Sequence, residues 1–276
     1  MIPTGQSLRV VGDVHGDARA FAFAAETDHF IVQLGDLTDG GPDNAGALRL
    51  MFQLMDEGRG LFLLGNHDRK LGRVLAGERV KTGPALDATL EQLDAKLRDR
   101  ALYEIGRAQA WLMQGERFFV HAAFHTAMLG HKPPAALGPV DPLLSRALFG
   151  ETTGRTQPDG FPERLLRWVN HIPGGLTVYC GHDQRSRDGR PYVANGDGGG
   201  SAVFLDTGAG KGGHLSWIDL PSRPGAVAAE AAPAGSVLYL NAGKFSRQAR
   251  LGDNSNGARA RPRPARAACI RDRPAR

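Results

Sequence analysis

Apolar residues along this chain come in short unbroken runs, each followed by a longer stretch with apolar positions three and four apart. LRVVGD (8–13), FIVQLGD (30–36) and LFLL (61–64) have the length and density of strands buried on both faces. Between them, DARAFAFAAE (17–26) and the segment 44–57 carry apolar residues at helical spacing. The alternation predicts a β-α-β-α-β unit with a largely parallel sheet, and therefore an α/β fold. Further on, the pattern predicts an amphipathic helix over 88–100 and strands over 118–120, 177–180, 202–205 and 215–219. It also predicts a helix near 163–170. PSRPGAVAAEAAPAG (221–235) reads as a linker, and SVLYL (236–240) as one added edge strand that extends the body to about 245.

Composition adds little to this picture until the charge is located. The 276 residues are 41% hydrophobic and 23% charged, enough for a core without staples. Two cysteines, Cys180 and Cys269, exclude a disulfide framework and suit a reducing compartment. The opening MIPTGQSLRV lacks a signal-peptide pattern, and no run approaches the roughly 20 apolar residues of a membrane span. A cytoplasmic protein is the expectation. The net charge is +5, yet residues 257–276 alone hold seven arginines against one aspartate, so the remaining 256 carry about −1. The segment 250–276, rich in Arg and Pro, reads as a disordered tail, free to touch nucleic acid or anionic surfaces non-specifically.

The ends of the strands carry the chemistry. The first gives GDVHG, with Asp13 and His15; the second gives GDLTDGG, with Asp36 and Asp39; the third gives GNHD, with Asn66, His67 and Asp68. Ligands of open α/β sheets bind beyond the carboxyl ends of the strands. His121 and His182 follow two later strands and complete a set of six candidate ligands: Asp13, His15, Asp36, Asn66, His121 and His182. Oxygen and imidazole donors without thiolates suit manganese, iron, cobalt, zinc or nickel. Six donors exceed the needs of one ion and fit two ions sharing a carboxylate, a recurring arrangement for phosphate-ester hydrolysis.

These motifs, in this order and over residues 8–220, resemble the phosphoprotein-phosphatase branch of the calcineurin-like metallophosphoesterases. GNHDRKLGRVLAGERVKTGPALDATLEQL is similar to the phosphatase module of bacterial polynucleotide kinase-phosphatases. LDTGAGKGGHLSWIDL resembles the stretch closing that module and the related diadenosine tetraphosphate hydrolases. The resemblance implies a catalytic domain over 1–220, a sandwich of mixed β-sheets flanked by helices. It implies that Asp13, His15 and Asp36 hold one divalent ion, most often manganese. Asp36 then bridges to a second, completed by Asn66, His121 and His182. His67 is implied as general acid, Asp39 as its orienting partner, and a hydroxide bridging the ions as nucleophile.

The chain departs from the family pattern where phosphate is gripped: Gly40 and Leu64 stand at positions where the family often writes arginine. Arg69, Lys70 and Arg185 are the candidate replacements. No G-x-x-x-x-G-K-[ST] loop is present, so no kinase activity is expected. The expected activity is hydrolysis of a phosphate monoester on a small molecule, phosphoprotein or RNA end. Dinucleoside polyphosphate hydrolysis, or phospho-ligand binding without turnover, remain the alternatives.

Overall fold

The structure is a computed structural model and describes residues 2–222 apart from 158, 159 and 161. The linker from residue 223 on, the strand over 236–240 and the tail expected from the sequence lie outside the described residues. The first elements are β1 (Leu8–Val11), α1 (Ala18–Ala24), β2 (Phe30–Gln33), α2 (Asn44–Asp56), β3 (Gly60–Phe62) and α3 (Asn66–Leu75). Then follow α4 (Pro84–Gln92), α5 (Ala95–Arg107), β4 (Trp111–Gln114), β5 (Arg117–Val120), α6 (Pro142–Phe149), β6 (Glu151–Thr156) and β7 (Pro162–Leu165). The chain continues through β8 (Thr177–Cys180), β9 (Tyr192–Asn195), β10 (Ser201–Phe204), β11 (Asp206–Thr207), β12 (His214–Leu215) and β13 (Trp217–Leu220).

Two mixed sheets, ordered β13-β1-β2-β3 and β4-β5-β8-β10-β9, form the frame. β1, β2 and β3 are parallel, as are β5, β8 and β10; β13, β4 and β9 add antiparallel edges. Alternate residues explain why the strands read as continuous apolar runs. Leu8, Val10, Phe30, Val32 and Ile218 of one sheet share a buried cluster with Phe119, Tyr179 and Val203 of the other. Val11, Ile31, Phe118, Val178 and Ala202 point the other way and join the cluster that includes Phe21, Leu48, Met51 and Leu144 of the helices. β1, β2, β5, β8 and β10 are thus buried on both faces. Arg9 and Asp219, paired across β1 and β13, add a two-pronged contact of 2.7 Å and 2.7 Å at the edge.

Two expectations fail on local grounds. The helix over 88–100 is two helices, because Asp94 caps α5 by accepting from the Leu97 N–H, and Leu93 adopts an extended conformation before it. The helix near 163–170 is instead β7 followed by a 3-10 turn over Arg167–His171. Pairing of β7 with the Thr-rich β6, in which Thr152 faces Arg164, overrides the helical spacing. No described helix is long and apolar enough to cross a membrane.

Candidate metal centre

Six parallel strands from the two sheets deliver polar residues to one end of the sandwich. Asp13 and His15 follow β1, Asp36 and Asp39 follow β2, and Asn66 and His67 open α3 after β3. His121 follows β5, His182 follows β8, and Asp206 follows β10. The turns are stitched together by their backbones. His15 N–H donates to the Asp36 carbonyl at 2.9 Å, Gly181 N–H to the His121 carbonyl at 2.8 Å, and His182 N–H to the Asp13 carboxylate at 3.1 Å.

Asp68 has a structural task that the sequence left open. Its buried carboxylate accepts the N–H groups of Asp36 (2.7 Å), Leu37 (3.0 Å) and Gly65 (3.0 Å), locking the second and third turns together. Gly35 (φ 98°) lies so close to Gly65 that a Cβ would come within 2.6 Å of the Gly65 nitrogen. Among the described residues, the non-glycine positions with positive φ are His15 (45°), Asp36 (59°), Asp39 (72°) and His182 (61°). All four belong to this centre. Left-handed backbone at a non-glycine residue costs roughly 1–3 kcal/mol, so the surrounding bonds hold these turns against their local preference.

The donor atoms converge on Asp36. Its carboxylate lies 3.8 Å from His15 Nε2 and 3.4 Å from His121 Nε2. Two groups within metal-binding reach share it: His15, Asp36 and His67 on one side, Asp36, His121 and His182 on the other. Asp13 Oδ2 is 3.7 Å from His15 Nε2 and Asn66 Oδ1 is 3.0 Å from His121 Nε2.

The electrostatics fit cations in this place. His121 Nδ1 donates to the Leu34 carbonyl at 2.9 Å, so Nε2 faces Asn66 Oδ1, Asp36 Oδ2 and, at 3.2 Å, His182 Nδ1. That many lone pairs converging on one point require a positive charge among them. Burial alone would make His121 less basic, but the Asp36 carboxylate outweighs it and pushes the pKa up to about 9. The same lack of charge shows at the other members. Burial, reinforced by Asp206, raises Asp13 well above its ordinary value, while burial and His121 hold His182 well below. His182 Nε2 is buried with no hydrogen-bond partner. A divalent cation held among these donors would answer these imbalances.

The family model described as Calcineurin-like phosphoesterase matches residues 7–186. The chain belongs to this family. It is therefore a metallophosphoesterase, a hydrolase of phosphate esters whose family implies divalent metal ions. It is 30% identical over 226 residues to the bis(5'-nucleosyl)-tetraphosphatase PrpE of Bacillus subtilis, covering 79% of this chain and 82% of that one. The protein of the same name from Anoxybacillus flavithermus is 26% identical over 235 residues, with 77% and 89% covered. Among solved structures, a candidate diadenosine tetraphosphatase superposes with a TM-score of 0.54 at 22% identity, covering 87% of this chain and 96% of that one. A yeast serine/threonine phosphatase with similarity to human PP5 does so at 0.56 and 12%, with 78% and 72% covered. These two likenesses speak for the fold.

In this metallophosphoesterase the donors open onto a cavity of about 740 Å³. His67 stands in its wall, with Nδ1 2.9 Å from Asp39 Oδ2. Burial would lower the pKa of the ring, but the Asp36 and Asp39 carboxylates raise it. Asp39 is held in turn by the Thr89 hydroxyl, which donates to Oδ1 at 2.7 Å. Thr89 sits on α4, 50 residues away in sequence, and nothing in the motif spacing pointed to it.

Of the expected phosphate-gripping residues, Arg185 lines the cavity, while Arg69 and Lys70 do not. Arg69 is buried and donates to the carbonyls of Ala136 and Gly138, at 3.0 and 2.8 Å, so its charge braces that loop instead. Arg164, Arg187 and Lys211 stand in the wall and were missed. Arg164 was hidden by the misread helix. Asp183 ties together two of the cations, lying 3.8 Å from Arg164 and 2.9 Å from Arg185 Nε. A side chain at Gly40 would sit tightly against His15, meeting its Cβ at 3.1 Å.

Proposed function

We propose that this metallophosphoesterase cleaves nucleoside polyphosphates at a dinuclear metal centre, with a bis(5'-nucleosyl) tetraphosphate as the best-fitting substrate. The carrying observation is the cationic wall. Arg164, Arg185, Arg187 and Lys211 line the same cavity as the metal donors, interspersed with Glu163, Asp183 and Asp206, of which Asp183 pairs with Arg164 and Arg185. Four cationic side chains spread along one wall give a bridging tetraphosphate, with about one negative charge per phosphate, more contacts than a single phosphate can use. The names of the PrpE relatives support the same substrate class.

Asp13, His15 and Asp36 would hold one ion and Asp36, Asn66, His121 and His182 the other. Divalent ions bound there, with manganese the first choice, supply Lewis acidity that activates water and neutralises phosphate charge. The remaining work belongs to the chain. The arginines orient the polyphosphate. Asp39, fixed by Thr89, keeps the His67 ring protonated and turned toward the cavity, and His67 protonates the departing oxygen.

A second reading, phosphate monoester hydrolysis, is favoured by the His67–Asp39 pair itself, because an alcohol leaving group depends on a proton more than a phosphate does. Product analysis separates the two. Manganese-loaded protein given diadenosine tetraphosphate is expected to release ATP and AMP with higher kcat/KM than it releases inorganic phosphate from a nucleoside monophosphate or a phosphopeptide. The reverse order would select the monoester reading, and no hydrolysis of either would overturn both.

A further inference from the structure

The glycine-rich loop 208–213, between β11 and β12, is pressed against the first strand end. Gly210 has φ 68°, and a Cβ there would overlap the His15 carbonyl, so the backbone can approach this closely only as glycine. The next residue, Lys211, lines the cavity and places Nζ 2.8 Å from His15 Nε2.

His15 Nδ1 lies 3.0 Å from the Thr38 carbonyl, an atom that can only accept, so the ring proton is on Nδ1 and Nε2 offers a single lone pair. That lone pair points where Asp13 Oδ2 and Asp36 Oδ2 come within 3.7 and 3.8 Å of Nε2. An ammonium group and a divalent ion cannot both use it. We propose that Lys211 is a tethered cation that competes with the ion for the His15 lone pair and, once displaced, grips the substrate phosphate in the same cavity. The four-carbon stem lets Nζ swing by several ångströms (about 6 Å) with the loop backbone fixed. Metal and phosphate binding are thereby coupled. A bound ion frees Lys211 for phosphate, and phosphate that captures Lys211 clears the way for the ion, by the same factor in each direction.

The inference rests on the dinuclear reading. Its test is Lys211→Met, which keeps the length of the stem and removes the charge, with thermal melting as the check on folding. Chelator-treated wild type and variant are titrated with manganese by calorimetry. The variant is expected to bind one ion about tenfold more tightly, since a like charge within a few ångströms is gone. Inorganic phosphate should inhibit the manganese-saturated variant about tenfold less well, and Lys211→Arg should restore that inhibition. Two-site binding with equal or weaker manganese affinity in the Met variant overturns the competition and leaves the dinuclear reading standing. Unchanged phosphate inhibition overturns the phosphate contact. A wild type that binds no manganese removes the dinuclear reading and this inference together.

Discussion

Replacing His67 by asparagine separates a proton donor from a metal ligand. The imidazole stands beside both Asp39, at 2.9 Å, and the shared carboxylate of Asp36, and its nitrogen falls within the reach of one metal-binding group. Asparagine removes the proposed acid but keeps the backbone N–H that holds Asp36 Oδ1 at 2.9 Å, so that carboxylate stays anchored. General acid catalysis contributes roughly 10²–10⁴-fold, equivalent to about 3–5 kcal/mol of barrier. Burial would make the ring less basic, but the Asp36 and Asp39 carboxylates outweigh it and favour its charged form, the form that can give a proton to a poor leaving group. The assay compares kcat/KM for an alkyl or ribose phosphate with that for p-nitrophenyl phosphate, whose leaving group departs with little help from a proton. His67→Asn should slow the first by about 10²–10⁴ and the second by less than about tenfold. Elemental analysis should still find two ions per chain. Equal loss on both substrates together with a lost ion would refute the argument and make His67 a ligand.

Thr89→Val removes the hydroxyl that fixes Asp39; we expect about a fivefold loss on the alkyl phosphate, equivalent to about 1 kcal/mol, with p-nitrophenyl phosphate hardly affected. Equal loss on both would show a general disturbance instead. Asp68→Ala strands three buried N–H groups and should cost about 3 kcal/mol or more in urea unfolding; a loss under about 1 kcal/mol would mean that the turns hold without it. Arg9→Leu should cost about 1 kcal/mol at neutral pH. Burial would raise the Asp219 pKa, but the Arg9 fork holds it below its ordinary value of 3.8. A depressed carboxylate stabilises above its unfolded value and loses that contribution as pH falls through the folded one, so wild type and variant should converge in acid. A gap that stays constant from pH 7 to pH 2 would contradict this assignment.

Much of the centre was legible before any coordinates. Strands buried on both faces must surface somewhere, and GDVHG, GDLTDGG and GNHD mark where β1, β2 and β3 do so with polar atoms that burial alone would never favour. His121 and His182 were readable for the same reason, each sitting directly beyond an apolar strand. Local sequence also fixes the glycines that permit such sharp exits.

What the sequence could not carry is contact between segments far apart in the chain. The helix expected near 163–170 became a strand because β6 offered backbone partners, and with it Arg164 moved into the cavity wall. Arg69 was expected on phosphate, yet the carbonyls of Ala136 and Gly138 claim it. Thr89 reaches Asp39 across 50 residues, and Lys211 reaches His15 across 196. The candidate metal ligands were encoded by short motifs, because strand ends deliver them one turn at a time. The residues around them were decided by tertiary packing, because a guanidinium, hydroxyl or ammonium group settles wherever folding brings an acceptor within about 3 Å, and no local pattern records that meeting.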